Sequence, residues 1–122
     1  MRYKNFEDLP IWLLAREIVN QVYEMINKNE DLSKDFRLTG QMIGAGLSIM
    51  NNIAEGFDSD NNNEFSRYLK YSQRSCSEVM SMTYILKDVY KIADDSKLLY
   101  EKCLDERKQI KGFIKYLKSA NT

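Results

Sequence analysis

The sequence predicts an all-α protein, an antiparallel up-down four-helix bundle, on three observations. Apolar residues recur at spacings of three and four throughout, with no sustained alternation that would argue for a strand. Five glycines and one proline interrupt 122 residues, too few for a fold built from many short strands. Long periodic stretches are separated by short polar connections, which favours helices lying beside their chain neighbours.

The first helix is expected over about 9–27, with Asp8 capping free backbone amides and Pro10 tolerated in the first turn. Ile11, Ala15, Ile18, Val22 and Met25 form its inward seam. Trp12, Val19 and Ile26 add a second seam and Leu14 widens it, giving more apolar surface than two bundle neighbours require. A polar connection should follow from Lys28 to about Lys34.

The second helix, about 35–55, turns Leu38, Met42, Ala45, Ile49 and Asn52 inward. Gly40, Gly44 and Gly46 each cost up to ~1 kcal/mol in a helix interior, so their clustering suggests close approach of another backbone. Gly56 reads as the left-handed residue that ends this helix. Asn61-Asn62-Asn63-Glu64 reads as a capping box, with Asn61 as N-cap and Glu64 reaching back. The third helix, about 62–91, then carries Phe65, Leu69, Ser72, Cys76, Val79, Thr83, Leu86 and Tyr90 on one seam. The fourth, about 95–118, turns Leu99, Cys103, Ile110, Phe113 and Leu117 inward and ends near lysines suited to the helix dipole. Ser119 to Thr122 should be a loose tail.

With 43% hydrophobic and 30% charged residues, the chain has the composition of an ordinary globular domain, and one domain over 1–122 is expected. Eighteen basic residues balance eighteen acidic ones, so any attraction to nucleic acid must come from a local patch. Without an apolar leader or a membrane-length apolar run, a cytoplasmic address and no membrane partner are expected. Cys76 and Cys103 lie within helical patterns, unlike a disulfide framework. No histidine is present, which removes the usual general base and the commonest metal ligand. No catalytic residue, metal, cofactor or small-molecule substrate is therefore expected.

Several residues are candidates for more than packing. Glu55 places a carboxylate at the negative end of a helix dipole, at a cost of ~0.3 to 1 kcal/mol. Either it accepts hydrogen bonds from a neighbouring helix start or an arginine such as Arg67, or it faces a ligand or partner subunit together with Asn52. Gln41, Ser48 and Asn52 on the second helix, opposite Ser72, Ser75 and Thr83 on the third, read as a register-fixing polar layer or as a pocket. Arg67, Lys70 and Arg74 line one stripe of the third helix, and Lys108, Lys111, Lys115 and Lys118 another on the fourth. Such stripes are solvated faces in one reading and, summed around an oligomer, a phosphate-binding belt in the other. Trp12, Val19, Tyr68 and Tyr71 exceed what one seam per helix requires and are candidates for a subunit interface.

Two stretches carry a family resemblance: Phe6-Glu7-Asp8-Leu9 leading to Trp12, Ala15, Arg16 and Glu17, and Gln41 through Ser48 and Ile49 to Asn52-Ile53-Ala54-Glu55-Gly56. Asn61 to Leu69 and the pair Ser75 and Glu78 extend the match. The chain resembles the four-helix-bundle proteins encoded by intervening sequences of bacterial 23S ribosomal RNA genes, the ribosomal S23 type. The resemblance implies an antiparallel bundle that assembles with itself, typically as a pentameric ring. A related branch, the accessory variability protein of diversity-generating retroelements, works as a basic oligomer that binds nucleic acid and a reverse transcriptase. The expected function is a non-enzymatic scaffold or interaction role for a homo-oligomer, and the alternative is an accessory protein that binds RNA or DNA through the basic stripes summed over the oligomer. The pattern departs from the family where Ile43 and Gly44 stand in place of two arginines, where Asp58-Ser59-Asp60 replaces a basic residue, and where Met50 replaces a proline.

Overall fold

The computed structural model describes residues 2–120. Among them the chain forms a short 3-10 turn at Phe6–Asp8 and five α-helices, with no strand. The helices are α1 Pro10–Lys28, α2 Glu30–Lys34, α3 Phe36–Asp58, α4 Asn62–Asp88 and α5 Ala93–Ala120. Each long helix touches two others, in the cyclic order α1, α3, α4, α5. None of the described helices is long and apolar enough to cross a membrane.

The inward seams lie where the spacing places them. Ile11, Ala15, Ile18, Val22 and Met25 are buried on α1, as are Met42, Ala45 and Ile49 on α3. Every α4 seam residue from Phe65 to Leu86 is buried, and so are Leu99, Cys103, Ile110 and Leu117 on α5. Leu38, Asn52, Tyr90 and Phe113 are half-buried.

The helix ends depart from expectation, each for a local reason. Asp8 does not cap α1; it sits in the 3-10 turn, and the cap position is Leu9, which makes no side-chain cap bond. Leu9 is fully buried, so the turn serves to drive this side chain into the core, and Pro10 still opens the helix. The expected polar connection is instead the helical turn α2. Asn29 Oδ1 accepts from Leu32 N–H at 2.9 Å, and Leu32 is fully buried. One apolar residue behind a good N-cap was enough to convert the linker into structure.

Asp35 caps α3 by accepting from Leu38 N–H at 3.1 Å, and its other oxygen accepts from the Tyr90 hydroxyl at 2.6 Å. These donors hold the Asp35 carboxyl below its ordinary pKa, the tyrosine contributing most.

Gly56 does not end α3. The helix continues to Asp58, none of the described glycines has positive φ, and Asp60 takes the left-handed position at φ 55. Ser59 explains the extension. Its N–H reaches the Glu55 and Gly56 carbonyls, and its hydroxyl donates to Gly56 O at 2.6 Å, so the last carbonyls are satisfied without an earlier stop. At α4, Asn61 Oδ1 accepts from Glu64 N–H at 3.0 Å as the capping box requires. The Glu64 carboxylate, however, turns to Arg67, because a two-pronged charged pair outweighs one neutral backbone bond.

α4 stops at Asp88 rather than near 91, where Lys91 adopts φ 58 and reverses the chain. α5 accordingly starts at Ala93. Of the tail expected to be loose, Ser119 and Ala120 are the last residues of α5, while Asn121 and Thr122 lie outside the described residues.

The clustered glycines divide in two. An added Cβ at Gly46 would lie 3.6 Å from Val19 Cγ2, so this glycine does admit α1. At Gly40 and Gly44 nothing lies within 4 Å, and no neighbour explains them. Gly40→Ala and Gly44→Ala are each expected to raise stability by about 0.5–1 kcal/mol, since only helix propensity changes. Urea unfolding followed by circular dichroism checks this, and a loss at either position would reveal a hidden contact.

Candidate functional site

The two basic stripes, read separately in the sequence, converge on one groove at the junction of α4 and α5. Two recesses form it, and a third adjoins it through shared residues of α5. From α4 the walls are Lys70, Gln73, Arg74 and Ser77, and from α5 they are Arg107, Lys108, Lys111 and Ile114; the third recess lies on α5 alone, where Gly112, Lys115 and Lys118 continue the basic surface beyond Lys108 and Lys111. No acidic side chain lines any of the three.

The α5 lysines advance by three, four and three residues, so about one turn, or ~5.4 Å, separates successive charges along one face. Cross-helix bonds fix the register of the junction. Gln73 Nε2 donates to Arg107 O at 3.5 Å, and Arg107 Nη1 donates to Ser77 Oγ at 3.1 Å. At its other end the same junction differs: that recess is lined by both signs of charge, Lys87 and Lys97 with Asp94 and Glu101, around Tyr84 and Tyr100, whose rings meet edge-on at 6.1 Å. Positive potential is therefore concentrated at the groove end.

Arg107 was not among the expected contacts. It stands one residue before the lysine stripe, and Ser77 draws its guanidinium across from α4. Arg67, which was expected, lies elsewhere. Its guanidinium takes the Glu64 carboxylate at 2.9 and 3.3 Å, donates to Tyr71 Oη at 3.0 Å and lies over the Tyr68 and Tyr71 rings. Glu64, first, and Tyr71 hold this arginine even further above its ordinary pKa. An arginine so paired brings little net charge to a phosphate. Arg74 joins the two groups, since it lines the groove and also lies over Tyr71 at 5.7 Å.

The polar residues of α3 have a structural part. Ser75 Oγ donates to Ser48 Oγ at 2.8 Å, Ser72 Oγ donates to Ile49 O at 2.9 Å, and Asn52 Nδ2 donates to Ser48 O and Oγ. This layer joins α3 to α4, and its residues are not among those that line the basic groove. Gln41 is exposed and outside it, while Thr83 bonds within its own helix to Met80 O. Glu55 is exposed, and Arg67 binds Glu64 instead. Gly56 lies against Phe65 and Tyr68.

Of the residues expected at a subunit interface, Val19 is buried within the chain, because Gly46 lets α3 cover it. Trp12 is half-buried and meets Phe6 edge-on at 5.2 Å, and Tyr68 and Tyr71 are half-buried around Arg67. The exposed large apolar residues are others, led by Phe36 at 81% and Val89 at 61%.

Sequence reasoning also missed Glu106. The inward series on α5 passes from Cys103 to Ile110, and the heptad place between them is Glu106, fully buried. Burial, with a smaller contribution from Asp105, pushes its carboxyl up to about 9. Burial likewise raises both thiols, Cys103 to about 12 and Cys76 beyond that. Both remain protonated at neutral pH and inert as nucleophiles. No group of three or more cysteine and acidic side chains among the described residues is arranged to hold a metal.

No curated protein and no solved structure is found to match the chain. Residues 7–117 match the family described as 23S rRNA-intervening sequence protein, a span that includes α1, α3, α4 and all but the last three residues of α5. The chain belongs to the 23S rRNA-intervening sequence protein family.

Proposed function

We propose that this protein is a non-enzymatic interaction protein of the cytoplasm whose α4–α5 groove takes the phosphate backbone of RNA or DNA. The observation that carries this reading is the convergence of Lys70, Arg74, Arg107, Lys108 and Lys111 on a groove with no acidic lining, continued along α5 by Lys115 and Lys118. The chain as a whole is neutral, so these cations are segregated rather than merely abundant. No aromatic side chain lines the groove, which favours backbone contact over base stacking. Absence of histidine and the two protonated thiols support a non-catalytic role.

We read the architecture as a single antiparallel up-down four-helix bundle. The cyclic order of the long helices supports it, as does the pairing of Ser72 with Ile49 and of Ser75 with Ser48, in which one strand of numbering rises as the other falls.

Fluorescence anisotropy with a structured RNA and a duplex DNA, at low and at physiological salt, tests the groove. Salt-sensitive binding is expected, with the slope of log affinity against log salt falling by roughly 0.7–0.9 for each phosphate contact removed. The pair Lys111→Glu and Lys115→Glu is expected to weaken binding at least ~10-fold at low salt. No binding at low salt, or affinity untouched by the pair, ends this reading.

Self-assembly is a second reading, favoured by an apolar end on the chain surface. The Tyr90 hydroxyl bond to Asp35 brings the start of α3 beside the end of α4, and exposed Phe36 and exposed Val89 are the chain neighbours of the two bonded residues. A ring of the kind the family resemblance implies, a pentamer, would cover such residues and repeat the basic groove around its axis. Light scattering on the intact protein is expected to give a multiple of the 14.4 kDa chain, and Phe36→Ser with Val89→Ser is expected to release monomers. A lone protomer at high concentration overturns it.

A further inference from the structure

Glu106 occupies a seam position that an apolar residue would fill without cost. It is 0% exposed, and neither carboxyl oxygen has a hydrogen-bond partner. No cation is paired with it. From α4 the facing ionisable group is the Cys76 thiol, close enough for the charge of Glu106 to act on it. On α5 the neighbours are Cys103, Asp105, Lys102 and Arg107, and the Arg107 guanidinium is drawn away to Ser77. α1, the other helix packed on α5, buries Ile11, Ala15 and Ile18, while its Arg16, Glu17, Tyr23, Glu24 and Lys28 are exposed. α3 is not a neighbour of α5. An unpaired buried carboxylate costs more than taking up a proton, so such a group stays neutral while it stays buried.

We infer that Glu106 is a proton latch: the seam between α4 and α5 closes around its neutral acid and opens as that proton is lost. In an opened seam the carboxyl meets water and returns to its ordinary value near 4.5, whereas the closed seam holds it up to about 9. Between those values the closed state carries one proton more than the open state. Each pH unit upward in that window therefore multiplies the open-to-closed ratio about tenfold. The window includes neutral pH, so the latch responds where the protein lives and not only in alkali. This inference does not depend on what the groove binds.

Cys76 and Cys103 are built-in reporters, since a thiol reagent reaches them only when the seam opens. The test compares the intact protein with Glu106→Gln, whose amide cannot ionise. At pH 7 the infrared spectrum of the intact protein is expected to contain a protonated-carboxyl carbonyl band that Glu106→Gln lacks. From pH 6 to 8 the ratio of their thiol-labelling rates, in which thiol ionisation cancels, is expected to climb about tenfold per unit. Should Glu106→Gln not fold, Glu106→Met, also unable to ionise and closer to the core in polarity, takes its place. A missing carboxyl band at pH 7, or a labelling ratio constant across pH, overturns the inference.

Discussion

Glu106→Met is expected to stabilise the protein by about 3 kcal/mol at pH 7, an unusually large gain for one substitution. Folding at this pH obliges a carboxyl that is ionised in the unfolded chain to take up a proton, because burial holds its folded-state pKa up to about 9 against 4.5. Roughly 2.5 pH units separate pH 7 from the unfolded value, and each is worth about 1.4 kcal/mol. Methionine has similar length and no charge to shed, so the penalty disappears. The sign follows from the raised pKa. Below pH 4.5 the acid is neutral in both states and costs nothing by this route; the penalty grows as pH rises and levels above about 9. Urea unfolding at pH 4 and pH 7 checks both halves. A gain of equal size at the two pH values would assign the effect to packing and not to the proton.

Gly56→Ala is expected to destabilise by about 2 kcal/mol, although alanine in a helix interior normally gains up to ~1 kcal/mol over glycine. The added Cβ would lie 2.8 Å from Phe65 Cδ1 and 2.9 Å from Tyr68 Cβ, inside van der Waals contact. Neither neighbour can retreat easily. Phe65 is held between Phe57 and Phe113, with ring centroids at 6.1 and 5.4 Å, and Tyr68 Cβ is fixed to the α4 backbone. The α3–α4 contact must therefore widen. Thermal unfolding measures the loss, and Phe65→Leu in the Gly56→Ala background is expected to recover little of it, because the Tyr68 clash remains. An unchanged midpoint for Gly56→Ala would mean that the two helices already have room to part.

Gly56 also shows why some residues were misread in the sequence. A glycine after a periodic run looks like a left-handed stop, and only the approach of α4 distinguishes that role from a packing role. Asp8 looked like a cap because its residue type favours one, yet burial of Leu9 outweighed a single capping bond. Asn29 with Leu32 carried a readable signal for α2, a capping residue three places before an apolar one, hidden by the polar residues around it. Glu106 was legible as a position: counting heptads from Cys103 to Ile110 leaves one inward place, and a glutamate fills it. Arg107 then follows as the flank of that seam. What it meets across the groove, Ser77 and the Gln73 amide, belongs to another helix and leaves no local trace.

By itself, the sequence determined that the chain is helical, which long stretches form helices, and which faces turn inward, because apolar spacing over many turns is a collective signal that single caps cannot overturn. Tertiary structure alone decided that two separate lysine and arginine stripes meet in one groove, that Arg67 is spent on Glu64, that Val19 is covered, and that Glu106 has no partner. Each of those outcomes depends on the distance between atoms on different helices. Charge, pairing and burial act across that distance, and periodicity along one helix does not contain it.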